Sequence, residues 1–246
     1  MDPHFIDETA RAQHGLITTR QALDAGASPS WIRAQARARR LIPVRRGVYR
    51  VQGAPVTQDQ VWLAAILAAG AGTVLSHRSA AAAWALRGFR PPLRVDLLSA
   101  SNRPRGPGIR GHETGWLPAS DRAELRGVPV TTPARTLIDA SGGFHPWSLG
   151  RIVDDALCRG IVTLSGLAAC FDDMPPSGRR PSAAMRVVLR DRLARAARPS
   201  ALLRSCGPER AETAREQDSL DQSGGRMTMR APPMTRSSGS PSRSHS

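Results

Sequence analysis

The 246-residue chain predicts a mixed α+β protein. An N-terminal winged helix-turn-helix comes first, then a mixed α+β domain, then a disordered C-terminal tail. Three observations carry this. The stretch Ala25 to Gln58 has no acidic residue, and seven arginines fall between Trp31 and Arg50. Helix-like and strand-like segments alternate from Val56 to Phe171. The last 48 residues hold ten serines and no aromatic, valine or isoleucine.

The N-terminal elements follow from local signals. Asp2 and Pro3 suit the N-cap and N1 of a first helix, with Ile6, Ala10 and Gln13 on one face and Gly15 ending it. Thr18 and Gln21 have the spacing of a capping box, which opens a short helix from Thr19 to Ala25 that Gly26 stops. Ser28-Pro29 starts a third helix running to about Arg40. At about 100° per residue, Ile32 and Ala36 point inward with Leu41 following, while Ser30, Arg33 and Arg37 point outward with Arg40 at their edge. Ile42, Val44, Val48, Tyr49 and Val51 read as two short strands around an Arg45-Arg46-Gly47 turn. Three helices and a hairpin make a winged helix, whose third helix enters a DNA major groove while the wing touches the backbone.

Arginines on a short helix are often only a solvated face. Here no acid compensates them, and they coincide with the recognition helix and wing. That favours a nucleic-acid surface. The expected DNA-binding set is Ser30, Arg33, Arg37, Arg40, Arg45, Arg46 and Arg50. Arg33 or Arg37 suits a guanine edge; Arg45, Arg46 and Arg50 suit phosphates.

Residues 14 to 51 resemble the N-terminal domain of AbiEi-type antitoxins of type IV toxin-antitoxin systems. The matching residues are the Gly-x-Ile-Thr-x-x-Gln-Ala segment from Gly15 to Ala22, Gly26, Ile32, and Arg-Gly-Val-Tyr from Arg46 to Tyr49. Arg39-Arg40 stand where relatives often carry glycine. The resemblance implies a transcriptional regulator that binds double-stranded DNA and represses its own promoter, and the lack of a visible secretory signal leads us to expect a cytoplasmic protein. The resemblance also implies a nucleotidyltransferase-like toxin encoded nearby, whose neutralisation does not require contact. Helix-turn-helix proteins often dimerise on palindromes, although no coiled-coil seam is visible here.

The expected domains are 1–53, the winged helix, and 56–175, the α+β domain, followed by a basic amphipathic helix at 181–198 and a disordered tail at 199–246. In the second domain, Val56 to Ala69 is an apolar helix and Ser76 caps another. Leu93 to Leu98, Ile109 to Thr114 and Val128 to Val130 are strand-like. Helices follow at Thr132-Pro133, Pro146 to Arg159 and Thr163 to Phe171. The Ser-His-Arg-Ser-Ala-Ala segment from Ser76 and the Val-Pro-Val-Thr-Thr-Pro-Ala-Arg-Thr-Leu-Ile-Asp segment ending at Asp139 resemble the middle region of actinobacterial antitoxin-like proteins. His77 reads as a locally bonded helix-start histidine. Arg135 and Asp139, four apart, read as a helix salt bridge worth ~0.2–0.5 kcal/mol. Asp154-Asp155 and Asp172-Asp173 are poor metal dyads. In the basic helix, Met185, Val188, Leu189 and Leu193 form the apolar side and favour packing on the core.

Composition excludes several chemistries. Lysine is absent and all 35 basic residues are arginine, so lysine Schiff bases and phosphate-loop lysines are ruled out. Cys158, Cys170 and Cys206 fit free thiols. The six histidines have no ligand spacing with one another or with cysteine, and no cofactor, metal or enzymatic activity is expected. No secretory signal is visible, and the apolar run Val61 to Gly72 is too short to span a bilayer. The tail cannot bury enough apolar surface to offset the entropy of ordering. The rival reading is a DNA endonuclease-associated protein that has lost a very-short-patch-repair-like nuclease domain. Glu209, Glu212, Glu216, Asp218 and Asp221 lie in a strandless context. A third reading is a protein-interaction module whose basic face meets an acidic partner.

Overall fold

In the computed structural model, residues 3–175 and 183–197 are described, and these described residues belong to one compact unit. The expected tail and the carboxylates from Glu209 to Asp221 lie outside the described residues. The protein is mixed α+β, with a winged helix at its N-terminus.

Helix α1 (Pro3–Ala12) leads to strand β1 (Leu16–Thr18), α2 (Thr19–Asp24), α3 (Pro29–Arg37), β2 (Leu41–Arg45) and β3 (Val48–Val51). The strands pair antiparallel in the order β1-β3-β2. Strand β1 was not expected from the sequence. Of the three caps expected in the winged helix, those at Thr18 and Ser28 form, and Asp2 lies outside the described residues. Thr18 and Gln21 make the full capping box of α2, and the Ser28 side chain accepts from Trp31 N at 3.1 Å with Pro29 at N1.

Helix α3 stops at Arg37 rather than near Arg40. Arg39 takes φ +57°, the left-handed position that favours glycine. Arg39 N–H donates to Ala36 and Arg40 N–H to Gln35, at 3.1 and 3.0 Å, the Schellman pairing that closes a helix. Arginine thus adopts here a backbone conformation that glycine ordinarily supplies.

The remaining elements are α4 (Gln58–Ala69), β4 (Val74–Leu75), α5 (His77–Ala83), β5 (Val95–Ser99), β6 (Ile109–Glu113), β7 (Arg122–Leu125), β8 (Val128–Thr131), α6 (Pro133–Ala140), α7 (Pro146–Cys158), α8 (Leu164–Asp172) and α9 (Ala183–Ala196). Helix α4 begins two residues after the expected Val56, where Thr57 caps it through Gln60 N at 3.1 Å. Five strands form a mixed sheet in the order β6-β5-β4-β8-β7. Strands β5 and β6 are parallel, as are β4 and β8; β4 with β5 and β7 with β8 are antiparallel.

Two large cores organise these elements. One joins Leu16 and Val48 of the winged-helix sheet to Trp62, Leu63 and Ile66 of α4 and to Leu75, Leu97 and Val130 of the five-stranded sheet. Helix α4 is apolar nearly all round because it lies between two sheets. The other gathers Leu137, Leu149, Val153, Leu167 and Met185 from α6 to α9. A smaller core of Ile6, Ile17, Ala22, Ile32 and Leu41 lies on the opposite face of the winged-helix sheet. In α9, Met185, Val188 and Leu189 are buried as expected, but Leu193 is exposed.

Polar contacts fasten the winged helix to the rest. Buried Gln60 donates from Nε2 to the carbonyls of His14 and Pro55, at 2.6 and 2.9 Å. Arg126 makes a two-point pair with Asp59 at 2.8 and 2.9 Å, and its carbonyl lies 2.7 Å from His14 Nε2.

Candidate nucleic-acid interface

The outer face of α3 forms because Ile32 is drawn into the small core, while the positions one, two, five and six residues from it turn away from that core into water. Ser30, Arg33, Ala34, Arg37 and Ala38 are exposed there. The Ser28 and Ser30 hydroxyls lie 2.8 Å apart at the helix start. Arg40 is exposed just past the helix end, and Arg46 is exposed in the β2–β3 turn, where Gly47 has φ +70°. These residues present hydroxyl and guanidinium groups on a face with no carboxylate from its own segment. The groups fit the donors that read guanine edges and hold phosphates.

Arg45 and Arg50 are placed differently from the other five expected residues. Arg45 is half-buried, and its Nη1 donates to the Pro107 carbonyl at 2.8 Å. Burial pulls its pKa below the ordinary arginine value. A bulge between Pro43 and Arg45 turns the strand at this point. Arg50 lies two residues after Val48 on the same face of β3 and is half-buried, and its Nε is buried without a hydrogen bond. The sequence periodicity correctly places both in the hairpin. It gives no sign that the second sheet would meet the wing.

The α+β part holds two polar clusters. Arg135, 1% exposed, donates from Nη1 to Asp121 Oδ2 at 2.7 Å and to the Trp116 carbonyl at 3.1 Å. Its Nε lies 3.0 and 3.1 Å from the two oxygens of Asp139. The expected surface-type helix pair is therefore a buried three-residue network, held by a partner that helical spacing cannot reveal. Burial alone would lower the pKa of Arg135, but Asp139 and Asp121 outweigh it and hold the pKa above the ordinary value. Asp139 is pushed up to about 6, first by burial and further by Asp121; Arg135 opposes the shift without cancelling it. Cys170 Sγ donates to Asp121 Oδ1 at 3.5 Å, and burial with that carboxylate pushes the thiol up to about 12. The thiol is thus poorly suited as a nucleophile.

In the second cluster, the rings of His77 and His112 stack with centroids 3.6 Å apart. His112 Nε2 lies 3.0 Å from Asp96 Oδ1. Ser76 occupies the N-cap position but makes no capping bond; its hydroxyl lies 3.0 Å from His77 Nδ1. His77 has φ +48°. His112 and Asp96 were not singled out in the sequence, because 35 residues separate the two histidines and no spacing rule connects them. Among the described residues, no group of three or more His, Cys, Asp or Glu side chains could hold a metal ion. Nor is any described helix long and apolar enough to cross a membrane.

A winged helix carrying an arginine-faced third helix has the architecture of the helix-turn-helix folds. Within it, residues 4–52 match the family model described as "Transcriptional regulator, AbiEi antitoxin". This is the family the Gly15–Ala22 and Arg46–Tyr49 segments resemble, one described as regulators and antitoxins. A solved structure, the RV2827C protein from Mycobacterium tuberculosis, is similar at 19% identity with a TM-score of 0.44. The match covers 74% of this chain and 78% of that one. No curated protein matches the chain.

Proposed function

We propose that this protein is a DNA-binding transcriptional regulator of the AbiEi type that represses its own promoter. The observation carrying the proposal is the outward row of Ser30, Arg33 and Arg37 on α3, in a segment free of acidic residues. In this reading α3 lies in the major groove. Arg33 and Arg37 contact base edges, each worth ~1–3 kcal/mol of discrimination. Arg40 and Arg46 hold phosphates and add affinity without sequence choice. Arg45 and Arg50 support the wing from behind. Two copies bind a palindromic operator, and a nucleotidyltransferase-like toxin encoded nearby is opposed without direct contact. The family match supports the regulator and antitoxin role, and the arginine row supports duplex DNA as the ligand.

Fluorescence anisotropy of the full chain tests this, with its own upstream promoter fragment and a scrambled duplex at two salt concentrations. The expected result is tighter binding to the promoter that persists at the higher salt. Replacing Arg33 and Arg37 by alanine should remove that preference. Equal binding to both duplexes that vanishes with salt would overturn sequence-specific regulation.

A further inference from the structure

A second basic region lies outside the winged helix. Between Arg87 and Arg110 the chain has six arginines and one acid, Asp96. Asp96 is 1% exposed and already faces His112 at 3.0 Å and Arg110 at 3.8 Å. Four exposed arginines, Arg94, Arg103, Arg105 and Arg110, line a cleft of about 400 Å³ whose walls contain neither Asp nor Glu.

The cleft is built by the edge of the five-stranded sheet. Strand β6 is an edge strand, and the loop before it folds back across it. That approach needs a glycine at 111, because a Cβ there would run into the backbone carbonyl of Pro104. Arg103 Nε donates to the Gly111 carbonyl and Arg94 Nη2 to the Ile109 carbonyl, both at 2.8 Å. Each bond engages one of a guanidinium's five N–H donors, so it fixes the side chain without exhausting it. The same loop meets the wing through the Arg45–Pro107 hydrogen bond. The basic turn at Arg46 and the cleft therefore adjoin each other.

We propose that this cleft is a second phosphate-binding site, which takes the sugar–phosphate backbone of the duplex held by the winged helix. The inference rests on the DNA-binding reading above. Shielding of the exposed sheet edge accounts for Arg94 and Arg103, which bond its carbonyls. It does not account for Arg105, and Arg110 has only the 3.8 Å approach to Asp96. An acid-free wall of guanidinium forks beside a wing suits successive phosphodiesters, which such forks bind at two points.

The test is the salt dependence of DNA binding by the full chain, comparing wild type with Arg105→Ala and with Arg103→Ala plus Arg105→Ala. Each lost phosphate contact reduces the slope of log affinity against log salt by ~0.9. The single variant should therefore lose about 1 and the double about 2, with an unchanged promoter-to-scramble ratio. Arg105→Ala removes no bond that holds the loop, so it separates binding from folding. Unchanged slopes in both variants, with wild type still binding, would overturn the second site. A lost promoter preference would overturn its assignment to phosphate. Failure of wild type to bind any duplex would instead overturn the DNA-binding reading itself.

Discussion

Replacing Asp139 by asparagine should stabilise the protein at neutral pH. One guanidinium, Arg135, serves two carboxylates, Asp121 at 2.7 Å and Asp139 at 3.0 Å. The Asp139 side chain is only 9% exposed, so water does little to support a second negative charge in the network. Its folded pKa of about 6 exceeds the ordinary value of 3.8. Between those values the folded chain holds more protons than the unfolded chain, so stability falls as pH rises. At about 1.4 kcal/mol per proton per pH unit, the loss from about pH 4 to about pH 6 amounts to about 3 kcal/mol. Asparagine mimics the protonated acid and leaves Arg135 paired one-to-one with Asp121. Urea denaturation of both proteins, followed by tryptophan fluorescence at several pH values, measures the difference. Contributions from carboxylates outside this network are common to both proteins and cancel in the difference. The expected outcome is a variant more stable by up to about 3 kcal/mol at neutral pH, with the gap closing toward about pH 4. A variant less stable at pH 7, with the same slope as wild type through this window, would show that Arg135 holds Asp139 ionised, and the reasoning would fail.

Two further substitutions probe the winged helix. Arg39→Gly relieves a left-handed arginine at φ +57° and should gain ~0.5–1 kcal/mol in urea denaturation, offset by the entropy of a freer unfolded chain. A loss greater than that would mean that the arginine side chain makes a contribution of its own. Gly15→Ala should cost more than ~1 kcal/mol. Gly15 has φ +79°, and an added Cβ would collide with the Ala54 side chain. A thermal midpoint equal to that of wild type would mean the close approach of residues 15 and 54 is not rigid.

Much of the winged helix is legible in the sequence because its signals are local. The Thr18–Gln21 capping box, the Ser28-Pro29 start and the outward arginine spacing each lie within a turn or two of chain. Strand β1 is not legible, for a physical reason. Leu16 packs toward α4 while Ile17 packs toward α3, so both are buried and the period-two alternation of a half-exposed strand disappears. The same holds for Val74 and Leu75 in β4, which are also both buried. The end of α3 is obscured because arginine gives no sign of a positive φ. The family match at residues 4–52 rests on the part of the chain where local signals are densest. The polar clusters depend on distant pairings, Arg135 with Asp121 and His77 with His112. The arginines of the second cleft gain their meaning only when the loop before β6 meets the wing.

The winged-helix sheet packs on both faces, one on its own helices and the other on α4. A helix-turn-helix hung from a linker can swivel to find its groove, but this one is a fixed blade. Cut free after Gly53, it would bare Leu16 and Val48 to water. Left in place, it has its aim set by the same packing that holds the five-stranded sheet. The orientation of α3 is therefore a property of the whole core and not of the helix-turn-helix alone.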